Sequence, residues 1–258
     1  MSVYEHFRKE EQPFIDQVLS WKEIVERTYE EKLTDFLDPR ERKIVHMLIP
    51  TSDDALQVKH DGGGKYTERT RVIIAPFYSL IQKDDFQLTL LEATYPTKFV
   101  TLSHRDVLGA FLSLGLVRDK LGDIYVDNGK IQMIVATEIA NFVRMNFTQI
   151  KQARVTFCEK TFTEWIENKP NWIESNQTVS SLRLDNVVKE IYNISRKLAV
   201  EAIKKQLIKV NFKVVDDAKF ILGEDDLISF RRKGRSKLVE INGQTKKGKW
   251  RITTAKLK

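Results

Sequence analysis

"SLRLDNVVKEIYNISRKLAVEAIKKQLIKVNFKVVD", residues 181–216, reads as two short helices followed by a strand. Leu184, Val187, Val188 and Ile191 fall at i, i+3, i+4 and i+7, the apolar stripe of one helix. Ser195 is placed to cap a second helix, whose Leu198, Ala199, Ala202 and Ile203 are expected to turn inward while Lys197, Lys204 and Lys205 stay outside. Ile208, Val210, Phe212 and Val214 then alternate with Lys209, Asn211 and Lys213, as in a half-buried strand showing two lysines and an amide on one face. Arg196 and Lys197 stand directly behind Ser195, at a helix end that already carries about half a positive charge. Both cations oppose the dipole in the free protein, so an anion is the expected occupant. Their removal is expected to leave folding intact.

The surrounding charge points the same way. The chain of 258 residues carries a net charge of +7, but residues 178–258 hold 20 Lys and Arg against 9 Asp and Glu, and residues 1–177 hold 23 against 27. A basic excess confined to the last third is the electrostatic footprint of a nucleic-acid binder, although an anionic membrane surface or an acidic partner could use it too.

Composition removes several classes. With 41% apolar and 31% charged residues the chain is a globular protein rather than a disordered or collagenous one. Its longest apolar runs fall well short of the roughly 20 residues of a membrane helix, and the N-terminus lacks a signal-peptide core, so no membrane insertion and a cytoplasmic location are expected. Cys158 is the single cysteine, which leaves no intrachain disulfide and no thiolate zinc cluster; it reads as an inert strand residue. No cofactor or metal is expected.

Upstream, residues 4–37 read as an amphipathic helix with Phe14, Val18, Trp21 and Val25 three and four apart. "LDPRERKIVHML" restarts a helix with Asp38 as cap, Pro39 in the first turn and Glu41 in the capping-box position. A strand, a glycine turn and a strand follow. Residues 85–160 run strand, helix, a hairpin around Asn128 and Gly129, helix, strand. This βαββαβ order belongs to ferredoxin-like and RNA-recognition folds. RNA-recognition sheets stack bases on aromatics of their central strands. The expected third strand, "KIQMIVA", has none, so a scaffold or docking role is favoured here. The net-acidic residues 1–177 are expected to bind free RNA weakly or not at all.

Three short motifs have plain readings. "HDGGGK", residues 60–65, lacks the spacing and the hydroxyl of a phosphate loop, with Tyr66 where that hydroxyl should be, and reads as a flexible hairpin turn. "HRD", residues 104–106, lacks the rest of a kinase catalytic loop and reads as a helix start. "RLD", residues 183–185, also marks the catalytic aspartate of many pseudouridine synthases, but too little chain follows it for that catalytic domain.

Residues 181–235 resemble the S4 RNA-binding domain, whose pattern of Arg-Leu-Asp, helix, Ser-Arg, helix and Val-x-Val-Asn is matched by Arg183, Leu184, Asp185, Ser195, Arg196, Ile208, Val210 and Asn211. Leu207 stands where a glycine is usual, and Asp225-Asp226 where Gly-Asp is usual. Together with "LTDFLDPRE", "GGGKYTERTRVIIAP", "KFVTLSHRDVLGAFLSLGLVRDKLGDIYV" and "GQTKKGKWRI", this makes nearly the whole chain similar to the YlmH family of bacterial S4-domain proteins. The resemblance implies RNA held by the helix pair, a link to the large ribosomal subunit and to rescue of stalled peptidyl-tRNA, and genes near cell-division genes.

The expected fold is α+β: a small N-terminal α/β unit at residues 1–84, a βαββαβ unit at 85–162, a linker at 163–177, and an S4 domain at 178–258 with a helix pair, β hairpins and a basic C-terminal tail. The expected RNA-binding residues are Arg183, Asp185, Ser195, Arg196, Lys197, Lys204, Lys205, Lys209, Asn211, Lys213, Arg231, Arg232 and Arg235. The expected function is non-enzymatic binding of structured rRNA or tRNA on the large ribosomal subunit, in rescue or quality control of stalled translation, with other quality-control or division proteins as further partners. The alternatives are an RNA-modifying enzyme of pseudouridine-synthase type, which needs a buried, pKa-shifted acid in a cleft, and a division-site interaction protein, which needs an exposed apolar patch.

Overall fold

The structure, a computed structural model, describes Tyr4 and residues 7–50 and 55–258, in two compact units, residues 1–168 and 169–258. In the first unit α1 (Gln12–Thr28) buries Ile15, Val18 and Val25 and ends at Tyr29, whose φ of 58° is left-handed. The expected helix over residues 4–37 is therefore corrected: β1 (Lys32–Leu37) follows, and residues 5–6 lie outside the described residues. Antiparallel pairing with a neighbouring strand, through a bulge between Leu33 and Phe36, overrides helical spacing there. In α2 (Pro39–Leu48) Asp38 accepts from the Arg40 and Glu41 amides and Glu41 accepts from the Asp38 amide, the expected capping box. β2 (Leu56–Asp61) and β3 (Thr70–Pro76) complete a sheet ordered β1-β3-β2, and α1 and α2 pack against it through Ile44, Val45, Val72 and Ile74.

The βαββαβ segment is β4 (Leu88–Thr94), α3 (His104–Ser113), β5 (Leu121–Asp127), β6 (Lys130–Ala136), α4 (Thr137–Asn146), a short hairpin of β7 (Gln149–Ile150) and β8 (Ala153–Arg154), and β9 (Cys158–Lys160). The sheet order β5-β6-β4-β9, antiparallel throughout, is the split arrangement expected. Asn128 and Gly129 turn its hairpin at φ 48° and 82°. On one face Leu91, Met133, Phe111, Val143 and Phe147 form the core beneath the helices. Cys158 is exposed in β9.

The other face of that sheet is covered. Phe36 packs with Leu90, Ile134 and Ala136, and a Cβ on Gly122 would lie 2.7 Å from the Phe36 ring. Fully buried Gln132 donates to Glu92 (2.7 Å) and to the Glu164 carbonyl (2.8 Å) and accepts from the Ile166 amide (2.9 Å). The glycine turn belongs to this packing: a side chain on Gly63 would strike the Phe162 ring, and one on Gly64 the Trp165 indole. The Lys65 and Tyr66 amides donate to the Glu167 carboxylate, so the expected flexible turn is a held one.

The second unit begins with β10 (Trp172–Val179), followed by α5 (Leu184–Tyr192), α6 (Arg196–Lys204), β11 (Ile208–Val210), β12 (Lys213–Val214), β13 (Leu227–Phe230), β14 (Gly234–Gln244) and β15 (Trp250–Leu257). Its sheet runs β10-β15-β14-β13-β11-β12. Leu184, Val187, Val188, Ala199, Ile203, Ile228, Leu238 and Ile252 are its core. Part of the expected linker is thus strand β10, registered against β15 from Trp172 to Val179, and the expected C-terminal tail is a strand flanked on both sides.

Two local expectations are corrected. Leu198 is 54% exposed rather than inward. The alternating run 208–214 is not one strand but a tight hairpin: Asn211 and Phe212 take φ 47° and 66°, and β12 folds back on β11 with Lys209 opposite Val214 and Val210 opposite Lys213.

Candidate nucleic-acid interface

The helix pair is organised around one carboxylate. Asp185, in the first turn of α5, has no solvent exposure. Arg183 grips it with two bonds, Nε to Oδ1 at 3.0 Å and Nη2 to Oδ2 at 2.9 Å, and Arg196 adds Nε to Oδ2 at 3.0 Å. Burial pushes the carboxyl up, but the hydrogen bonds from Arg183 and Arg196 outweigh it and hold the group below the usual carboxylate range. The "RLD" run is also fixed through its backbone, with the Leu184 amide donating to Phe220 O (2.8 Å) and the Asp185 amide to Ala218 O (3.2 Å).

This geometry accounts for a cation at the wrong end of a helix. Arg196 is the first residue of α6, and its guanidinium, 56% exposed, bridges the buried Asp185 and solvent. Its Nε is committed to the carboxylate while more than half of the side chain stays open to solvent, a held guanidinium of the kind that receives phosphate oxygens. Lys197 beside it is exposed. Ser195 Oγ accepts from the Leu198 amide at 3.2 Å, so its role is to cap the helix and leave the other first-turn amides unblocked.

Lys204 and Lys205 are exposed at the far end of α6, and Lys209 is exposed on β11. Lys213 does not share a face with Lys209, because it stands opposite Val210 in the hairpin register. Asn211 is not a surface amide. It is 8% exposed, donates to Asp226 Oδ1 (2.8 Å) and accepts from the Leu227 amide (3.0 Å). Asp226, itself 2% exposed, also accepts from the Gly223 amide at 2.7 Å. The unusual Asp225 takes the left-handed φ of 65° that a glycine would supply, and Gln206, not Leu207, takes the corresponding position after α6 at φ 55°.

Arg231 and Arg232 lie exposed at the tip of the β13–β14 hairpin, tied to the end of α6 by the Arg231 amide on Leu207 O (2.8 Å). Arg235 rests its guanidinium 5.7 Å from the Phe212 ring centroid. Tyr192, at the end of α5, donates to Gly234 O at 3.2 Å, shares a 3.0 Å hydrogen bond with Ser236 and meets the Phe230 ring edge-on. These contacts bring the hairpin tip to the helix pair. Lys233 on the same tip, and Lys246, Lys247 and Lys249 in the β14–β15 turn, are exposed cations that sequence reasoning left off the site. The runs "RRKGR" and "KKGK" carry the signal, a cation cluster interrupted by the glycine of a turn.

Residues 82–164 match the family model described as "Putative RNA-binding domain in YlmH", and residues 182–228 match the model of the S4 domain. Over 252 residues, 97% of either chain, the sequence is 42% identical to "Ribosome-associated protein quality control protein P2" of Bacillus subtilis (strain 168). Among solved structures, "Cell division protein ylmH from Streptococcus pneumoniae" is 31% identical, with a TM-score of 0.55, and the match covers 64% of this chain and 100% of that one.

Proposed function

Because this chain belongs to the YlmH family of S4-domain proteins, we propose that it is a non-enzymatic RNA-binding protein of the cytoplasm that docks on structured rRNA or tRNA of the large ribosomal subunit and acts when translation stalls with peptidyl-tRNA in place. The observation that carries the RNA reading is the Arg183–Asp185–Arg196 network, which pins one half-exposed arginine among the exposed lysines of the helix pair. In this reading Arg196, Lys197, Lys204, Lys205, Lys209, Arg231 and Arg232 take backbone phosphates, with Arg183 supporting, Lys213 and Arg235 at the margin, and Asp185, Ser195 and Asn211 holding the scaffold. The ribosomal and quality-control parts rest on the name of the Bacillus subtilis relative and on the family resemblance.

Among the described residues, Glu41 and Asp123 are carboxyls that burial raises, and both accept backbone amides: Glu41 from Asp38, and Asp123 from Glu68 and Arg69. They read as structural caps rather than as acids waiting in a cleft. A protein-docking role beside RNA binding is favoured by Phe77, Tyr78 and Leu80, which are 63%, 61% and 88% exposed in one loop.

Sequencing RNA crosslinked to the protein in cells tests the main reading. Enrichment of large-subunit rRNA and tRNA is expected. Enrichment confined to messenger RNA contradicts the ribosomal assignment.

A further inference from the structure

The central unit poses a problem that its fold does not solve. The family model over residues 82–164 carries an RNA-binding description, yet the sheet face that a βαββαβ RNA reader offers to bases is closed by Phe36, Gln132, Phe162 and Trp165. An RNA contact in this unit has to use another surface.

Phe99 is 82% exposed, more than any other Phe or Tyr ring among the described residues. It does not sit on a loose strand of chain. The Phe99 and Val100 amides both donate to Pro96 O, at 3.3 and 3.4 Å, and Leu102 just beyond is 5% exposed in the core. A phenyl ring held in water on a turn anchored at both sides forgoes the burial that stabilises apolar surface, and a bound partner would supply it. Its immediate neighbourhood is cationic. Lys98 and Arg105 are exposed, and the β7–β8 hairpin brings Lys151 alongside, its Nζ 3.5 Å from Thr101 O and 2.8 Å from Asp106. Asp106 pairs with one of these three cations, in a stretch of chain, residues 1–177, that is net acidic.

We propose that this end of the central unit, formed by the residue 96–101 turn, the start of α3 and the β7–β8 hairpin, is a second RNA contact that takes one unpaired nucleotide, its base on Phe99 and its flanking phosphates on Lys98, Arg105 and Lys151. This rests on the RNA reading above and adds to it a site in the acidic part of the chain. An unpaired base is the ligand because an exposed ring ringed by cations is the recurring platform for single-stranded nucleic acid. A duplex would hide its base faces, and a protein partner would seek a wider apolar patch. A single stacking ring with three cations is weak by itself, so the contact forms on an RNA already held by the helix pair, where the local concentration is high.

The test uses the full chain bound to purified large ribosomal subunits, irradiated and digested, with RNA adducts mapped to peptides. Adducts both on the peptide carrying Phe99 and within residues 183–235 are expected, together with about a fivefold or greater loss of affinity for subunits on Phe99→Ala and loss of the Phe99 adduct, while melting of the variant is unchanged. Adducts confined to residues 183–235, or contacts at Phe99 made only to ribosomal protein, overturn this site and leave the helix-pair reading standing. No adduct in either region overturns both.

Discussion

Asp185 is the residue on which the helix-pair network turns. Removing Lys197 takes away a cation that opposes the helix dipole, so Lys197→Ala is expected to leave thermal stability unchanged or slightly higher. Arg196 behaves otherwise. The sequence alone implied that it too was dispensable for folding, because a partner 11 positions earlier in the chain is invisible to a dipole argument. Arg196→Ala removes one of two arginines from a carboxylate with no solvent exposure, and about 1 kcal/mol of stability should go with it, less than for a fully buried pair because the guanidinium is half in water. The carboxyl of Asp185 is held below its ordinary range, so the stability it contributes is present above the unfolded-state pKa and is lost as pH falls through the lower folded value. Asp185→Asn should therefore lower stability at pH 7 and flatten the acid limb of the pH–stability curve. An acid limb that keeps its slope in this variant would show that the network carries no linkage.

At the scale of elements, capping chemistry was readable and chain reversal was not. The Asp38–Glu41 box and the Ser195 cap lie where the sequence places them, because each depends on residues three apart. The run 208–214 misleads because apolar alternation continues in phase through a two-residue turn. What converts the strand into a hairpin is Asp226, 15 residues away, which holds Asn211 in its left-handed position. β1 was missed for a related reason, since its strand character comes from pairing with β3 rather than from its own spacing. The α2 cap carries its own prediction. Burial and the nearby Asp38 push Glu41 up to about 7, so the folded state holds its proton more tightly and stability from this group falls as pH rises from the ordinary carboxylate range through neutrality. Glu41→Gln keeps the acceptor for the Asp38 amide and removes the charge. It should raise stability at pH 8 by about 1 to 3 kcal/mol and change little at pH 5. A loss at pH 8, read by urea denaturation, would mean that the ionised form is the one the fold favours.

For the whole molecule, the charge division between residues 1–177 and 178–258 singled out the unit that matches the S4 model, because electrostatic excess survives any detail of folding. It did not reveal which cations share a face, as Lys209 and Lys213 show, nor that the central sheet is closed by residues on either side of it in the chain. It also does not show β10: a fragment starting at residue 178 would cut away most of that strand, so a piece tested in isolation should start at residue 169. The central claim is that phosphates are held by the α5–α6 surface and the hairpin tip. The dependence of full-chain affinity for large-subunit rRNA on salt measures this directly, compared with a variant carrying Lys197→Ala, Lys204→Ala, Lys209→Ala and Arg231→Ala. If the seven cations assigned above each meet a phosphate, the parent's logarithmic slope should be roughly −5 to −6, and four lost contacts should make the variant's slope shallower by about 3. A variant slope equal to the parent's would contradict the assignment and place the RNA elsewhere on the chain.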